Sequence, residues 1–167
     1  VSLSSMGASV TFIARNKDKA EVLLEELNTK AENKAVCIIA DLSSQDDVKN
    51  AAKEYLKMNR SLDILINNAG LLNLKRRETI DGLEETFAVN HLAYFILTNR
   101  LIDKIKESKS ARIINISSGA HQFVSRMNFD DLQSEKDYKP LKVYSYSKLA
   151  NILFTRKLSE ILKDVNL

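Results

Sequence analysis

A chain of 167 residues, 44% hydrophobic and 28% charged, has the profile of one globular domain over residues 1–167 rather than of a disordered or fibrous segment. With 25 Lys and Arg against 22 Asp and Glu, the net charge of +3 is too small and too dispersed to argue for a nucleic-acid partner. No stretch reaches the roughly 20 apolar residues that a bilayer-spanning helix needs, so no membrane segment is expected in these residues.

Ser9 to Ala14 is short, β-branched and aromatic, and follows Gly7, a residue suited to ending a helix in the left-handed conformation; it reads as a strand. Ala20, Leu23, Leu24 and Leu27 then recur at the spacing of an amphipathic helix. The next strand is Ala35 to Ala40, followed by a helix that buries Val48, Ala51, Ala52, Tyr55 and Leu56. Asp63 to Asn67 is a third strand, and a long helix is expected from about Gly82 to Lys106. The strand Arg112 to Ile116 precedes an irregular stretch holding the only proline, Pro140, and a last helix covers about Leu141 to Lys163. Strands alternating with helices, several of them apolar on both faces, imply an α/β fold with a parallel sheet and helices on both of its faces.

Cys37 is the only cysteine and sits in the apolar run Val36 to Ile39, where it reads as a buried small hydrophobe. His91 and His121 lack a partner at metal-ligand spacing, so no metal site is expected. The basic run Lys75-Arg76-Arg77 reads as a solvated loop. The polar stretch between Ser118 and Tyr144 is either a substrate lid or a surface insertion, since long loops in compact domains are often functional.

In open α/β sheets ligands bind beyond the carboxyl ends of the strands. The residues found there are Arg15-Asn16, Asp41-Leu42, Asn67-Asn68-Ala69-Gly70 and Ser117-Ser118-Gly119. Tyr144 and Lys148, four apart in a helix, share one face. In this order, and over nearly the whole chain, these motifs resemble the short-chain dehydrogenase/reductase family. Asn67 to Gly70 is similar to its NNAG turn, Asn90 in Phe-Ala-Val-Asn-His to its catalytic Asn, Ser118 to its catalytic Ser, and Tyr144 to Lys148 to its YxxxK signature. Tyr146 has the wrong spacing for that tyrosine. The run Tyr144 to Phe154 and the segment Asn128 to Leu132 look most like the retinol dehydrogenase branch.

The resemblance implies a Rossmann-like, doubly wound domain that binds a nicotinamide dinucleotide and exchanges a hydride with a small apolar carbonyl or alcohol, retinoid-like first and steroid or xenobiotic second. A non-catalytic dinucleotide-binding scaffold is the rival from another class. The catalytic set implied is Asn90, Ser118, Tyr144 and Lys148; the cofactor set is Arg15, Asp41, Leu42, Asn68, Ala69, Gly70, Tyr144 and Lys148. A nearby ammonium favours the phenolate, so Lys148 suits Tyr144 to proton exchange, while Ser118 would donate to the substrate oxygen. Asn90 would position a water that relays protons to Lys148. Arg15 suits the 2′-phosphate of NADP(H), the cofactor preferred here, with NAD(H) the alternative if Arg15 is a solvated turn residue. Asp41 would contact the adenine or simply form a turn. The resemblance leaves room for a homo-oligomer, and for a cytoplasmic or endoplasmic-reticulum-associated parent.

The family's TGxxxGxG turn is not found among these residues, and neither are its first and last strands. With the family's strand order of 3-2-1-4-5-6-7, the missing first strand leaves a central gap in the sheet. Unpaired backbone and bare apolar surface there would cost more than a net stability of about 5–15 kcal/mol absorbs. Residues 1–167 alone are therefore expected to fold poorly and bind cofactor weakly; a cooperative melt with micromolar NADPH affinity would contradict this.

Overall fold

The computed structural model describes residues 1–30 and 33–163. Its elements, in chain order, are α1 (Ser2–Ser5), β1 (Thr11–Ala14), α2 (Lys17–Lys30), β2 (Val36–Ile39), α3 (Gln45–Lys57) and β3 (Ile64–Asn67). There follow α4 (Glu85–Phe87), a π-turn (Ala88–Leu92), α5 (Ala93–Lys106), β4 (Arg112–Asn115), two 3-10 turns (Gly119–Phe123 and Phe129–Asp131) and α6 (Pro140–Ile161). The fold is α/β and Rossmann-like, as expected.

Its parallel strands form two separate pairs. Thr11 to Ala14 run in register with Val36 to Ile39, and Ile64 to Asn67 with Arg112 to Asn115. What ties the pairs together is a shared core on one face. Ile38 and Ala40 from the first pair, Ala51, Ala52 and Tyr55 of α3, Leu65 of β3, and Leu101 and Ile105 of α5 form one apolar cluster. The alanines of α3 carry no bulk beyond Cβ, so α5 packs closely against that helix.

Local chemistry explains the helix ends. Ser44 caps α3 by accepting from Asp47 N, Asp46 and Asp47 lie in its first turn and Lys57 in its last, each on the favourable side of the helix dipole. Asn59 and Gly7 leave their helices with φ of 51° and 89°, the left-handed geometry that asparagine and glycine tolerate best. The long third helix begins at Glu85, not at Gly82. Gly82 instead turns a tight loop with φ of 72°, and the Glu84 carboxylate caps the helix by accepting from Thr86 N and Phe87 N. The last helix begins one residue earlier than expected because proline fits a first helical position, where no N–H is needed.

The pairs differ in cover. Val10 and Phe12 face Leu3 of α1 and Leu23 and Leu27 of α2, and Ile13 faces the shared core, so the first pair has apolar cover on both faces, incomplete where Cys37 is half-buried and Ile39 is exposed. In the second pair Leu65 is buried on the helix side, while Ile64, Ile66 and Ile114 are exposed on the other. Cys37 departs from its expected burial: it points away from the α3 core and is half-buried, enough for burial to push its thiol pKa up. Among the described residues no helix is long and apolar enough to cross a membrane. Residues 1–167 are predicted to bind anilinonaphthalene sulfonate through the bare isoleucine face. Changing Ile66 and Ile114 to Thr should weaken that fluorescence; undiminished fluorescence would place the dye elsewhere.

Candidate active site

Helix α6 carries Tyr144 and Lys148 on a face that is unusually polar for one turned inward: Val143, Ser145, Ser147, Lys148, Ala150 and Asn151 are all buried. Buried polar groups need partners, and these have them. Ser145 Oγ donates to Leu141 O at 2.6 Å and Ser147 Oγ to Tyr144 O at 2.7 Å. Ser117 Oγ, just past β4, donates to Lys148 O at 2.8 Å, fastening the strand end to the helix.

Lys148 is only 3% exposed, and its Nζ donates to Ile116 O at 3.1 Å. The ammonium lies 5.5 Å from the centroid of the Tyr144 ring and 5.9 Å from that of Tyr94, within cation–π range of both. Burial pushes its pKa below the ordinary lysine value. Tyr146 lies apart, with Lys142 Nζ at 5.9 Å from its ring.

Asn90 comes into the site through the π-turn, where Ala93 N reaches back to Ala88 O, one residue further than in an α-helix. Its fully buried side chain behaves as a short length of backbone: Leu71 N donates to Asn90 Oδ1 at 2.8 Å, and Asn90 Nδ2 donates to Leu71 O at 2.9 Å and to Ser147 Oγ at 3.1 Å. The turn after β3 is thus pinned to the helices. Gly70 in that turn matters for the same reason, since a Cβ there would stand 3.4 Å from Asn90 Oδ1 and 3.5 Å from Lys148 Nζ. Asn68 and Gly70 are exposed and Ala69 is half-buried.

Ser118 opens the first 3-10 turn; its Oγ accepts from Ala120 N at 3.2 Å, and its carbonyl lies 2.6 Å from His121 Nδ1. The structure therefore gathers Asn90, Gly70, Tyr144 and Lys148, with Ser118 next to the anchored Ser117. Arg15 and Asp41 lie apart from them on the first strand pair, at neighbouring strand ends, with Arg15 Nη1 at 4.0 Å from Asp41 Oδ2. Asp41 also forms a turn, accepting from Ser43 N at 2.9 Å, and Leu42 beside it is half-buried.

The stretch after Ser118 is fastened at its base. Arg76 Nε donates to Gln133 O at 3.1 Å, Glu84 N to Gln133 Oε1 at 2.7 Å, and Tyr138 Oη to Asn73 O at 2.9 Å. Lys75 and Arg77 are exposed as expected, but Arg76 is not solvated: it is half-buried, with Glu78 and Glu135 as ion-pair partners. Phe123 and Phe129 on the same stretch are exposed.

Several site residues were not singled out in the sequence. Tyr94 is 2% exposed and donates to Ala69 O at 2.7 Å; burial, and secondarily Tyr144, push its pKa up to about 12. Asn151 and Ser147 are also buried in the site. Ser147 falls inside the YxxxK signature and Asn151 inside the run Tyr144 to Phe154, but neither was singled out there.

A doubly wound α/β scaffold with a buried lysine beside a tyrosine at its strand ends defines a class of dinucleotide-binding fold. The profile of the short chain dehydrogenase family matches residues 1–166, and the chain belongs to that family. It is 41% identical over 162 residues to human (Homo sapiens) retinol dehydrogenase 11, covering 96% of this chain and 51% of that protein. It is 37% identical over 165 residues to human polyprenol dehydrogenase, covering 96% and 50%. A metagenomic short-chain oxidoreductase solved in complex with NADP superposes with a TM-score of 0.75 at 25% identity, covering 97% of this chain and 68% of that one. The chain spans about half the length of the two curated relatives.

The depressed Lys148 pKa carries a stability consequence. Its ammonium is less favourable folded than unfolded, so the penalty is complete below the folded pKa and lifts as pH rises from there toward the unfolded value. Lys148→Met is predicted to be neutral or stabilising at pH 7, by on the order of 1 kcal/mol, as apolar replacements of buried charges often are. Urea unfolding of both chains checks this; a loss of more than about 2 kcal/mol would show that the Ile116 contact outweighs desolvation.

Proposed function

We propose that the whole protein is an NADP(H)-dependent oxidoreductase acting on a small apolar alcohol or its carbonyl, with a retinoid as the leading candidate. The observation that carries this reading is the desolvated Lys148 ammonium held against the Tyr144 ring. Removal from water strengthens its effect on a neighbouring oxygen. Relatives named for retinol and for polyprenol, both apolar alcohols, support the substrate class, as does the exposed Phe123 on the 3-10 turn that Ser118 caps.

The residues fit a nicotinamide dinucleotide. Arg15, with an exposed guanidinium at the end of β1, suits the 2′-phosphate, and Asp41 with Leu42 suits the adenine. Asn68, Ala69 and Gly70 lie in the turn after β3, and Gly70 brings that turn close to the Lys148 ammonium. Bound there, the cofactor supplies or accepts the hydride. Lys148 holds the ribose hydroxyls and stabilises the oxygen of Tyr144 when its proton leaves. Tyr144 passes that proton to or from the substrate oxygen, toward which Ser118 Oγ donates. Asn90 keeps the Gly70 turn in place by its two bonds to Leu71.

The test uses the natural full-length protein, NADPH and all-trans-retinal. Tyr144→Phe should lower kcat by at least about a hundredfold, the range of a lost proton-transfer group; a rate equal to wild type would end this assignment. Arg15→Glu should raise KM for NADPH by about tenfold with little change for NADH. Equal effects on both cofactors would remove Arg15 from the phosphate site.

A further inference from the structure

We propose that Asn151 and His91 are positioning residues for Lys148, an inference that rests on the assignment of Tyr144 and Lys148 above. Asn151 follows Lys148 by three residues, on the same face of α6, and is fully buried. Its Nδ2 donates to Asn90 O at 2.8 Å and to Ile116 O at 3.3 Å. Ile116 O is also the acceptor of Lys148 Nζ at 3.1 Å. One amide therefore ties together the carbonyl that holds the ammonium and the carbonyl of the π-turn that brings in Asn90.

The amide has one way round. Two carbonyls face its nitrogen, so its oxygen must face a donor, and Asn151 Oδ1 lies 2.9 Å from His91 Nδ1. This fixes the histidine as the Nδ1–H form. The ring is walled in by Phe87, with centroids 5.1 Å apart, and by Phe154, at 6.2 Å and edge-on. Burial lowers the His91 pKa, which keeps the ring neutral near pH 7. The chain of contacts runs from His91 through Asn151 to Ile116 O and Lys148. Without the His91 donor the buried amide oxygen is left unpaired, the amide is held from one end only, and the ammonium loses part of its rigid seat. A misplaced reacting group slows the chemical step more than it weakens ligand binding.

The experiment compares His91→Phe, His91→Gln and Asn151→Leu in the natural full-length protein, with NADPH and all-trans-retinal as probes and Tyr144→Phe alongside. His91→Phe should lower kcat about tenfold, the scale of one lost hydrogen bond, with both KM values within about twofold. His91→Gln, which restores an N–H, should recover most of that loss. Pairing His91→Phe with Asn151→Leu should be no worse than Asn151→Leu alone, since both break one chain. If Asn151→Leu does not fold, the two His91 variants decide the matter by themselves. An unchanged kcat in His91→Phe, a change in KM alone, or no rescue by His91→Gln overturns the inference while a dead Tyr144→Phe leaves the parent assignment standing. An active Tyr144→Phe overturns both.

Discussion

A lysine ammonium removed from water is the constraint around which this site is organised. Desolvation disfavours its charge by an amount that falls with every acceptor or π-face that can compensate. Lys148 finds one carbonyl, Ile116 O, and two aromatic rings, Tyr94 and Tyr144. Each of those partners must itself be held. The end of β4 is fastened to α6 by Ser117, Tyr94 is locked to Ala69 O, and the Gly70 turn is kept close by Asn90. The polar inner face of α6, which would be a defect in a helix that served only as core, is what this compensation requires.

The π-turn has the same origin. An extra residue in the helical turn rotates Asn90 toward Leu71 and leaves its carbonyl directed at Asn151, so one local departure from α geometry serves two partners. On the other side of the fold the shared core of Ala51, Ala52, Leu65 and Ile105 keeps the two strand pairs in one frame. The site belongs to the second pair, while Arg15 and Asp41 belong to the first. A dinucleotide reaching both would bridge them.

Much of this was legible in the sequence because it follows periodicity and local chemistry. The β-branched runs placed four strands within one or two residues, and the spacing of Val48, Ala51, Ala52 and Tyr55 gave the buried face of α3, whereas Leu56, expected to be buried with them, lies at the edge of that face and is exposed. The four-residue spacing of Tyr144 and Lys148 puts them on one helix face, but it was their resemblance to the YxxxK signature, in order with the other motifs, that singled them out. What could not be read was tertiary. Nothing in the composition of Lys75-Arg76-Arg77 says that the middle residue turns inward to Gln133 O, and nothing in Val36 to Ile39 says that the face bearing Cys37 is left partly open. Glu84 is buried because it caps a helix that the pattern began at Gly82. Asn151 looked like one polar residue of a long helix, since its three partners lie at distances of 35 to 61 residues along the chain.

The most direct test of the account is the titration of Lys148 Nζ by nitrogen NMR on lysine-labelled protein, with the resonance assigned by Lys148→Met. The account predicts a midpoint below the ordinary lysine value of 10.5, because burial disfavours the charged form of this group. A midpoint at or above that value would mean that the ammonium is solvated or paired, and the organisation of the site around its desolvation would be wrong.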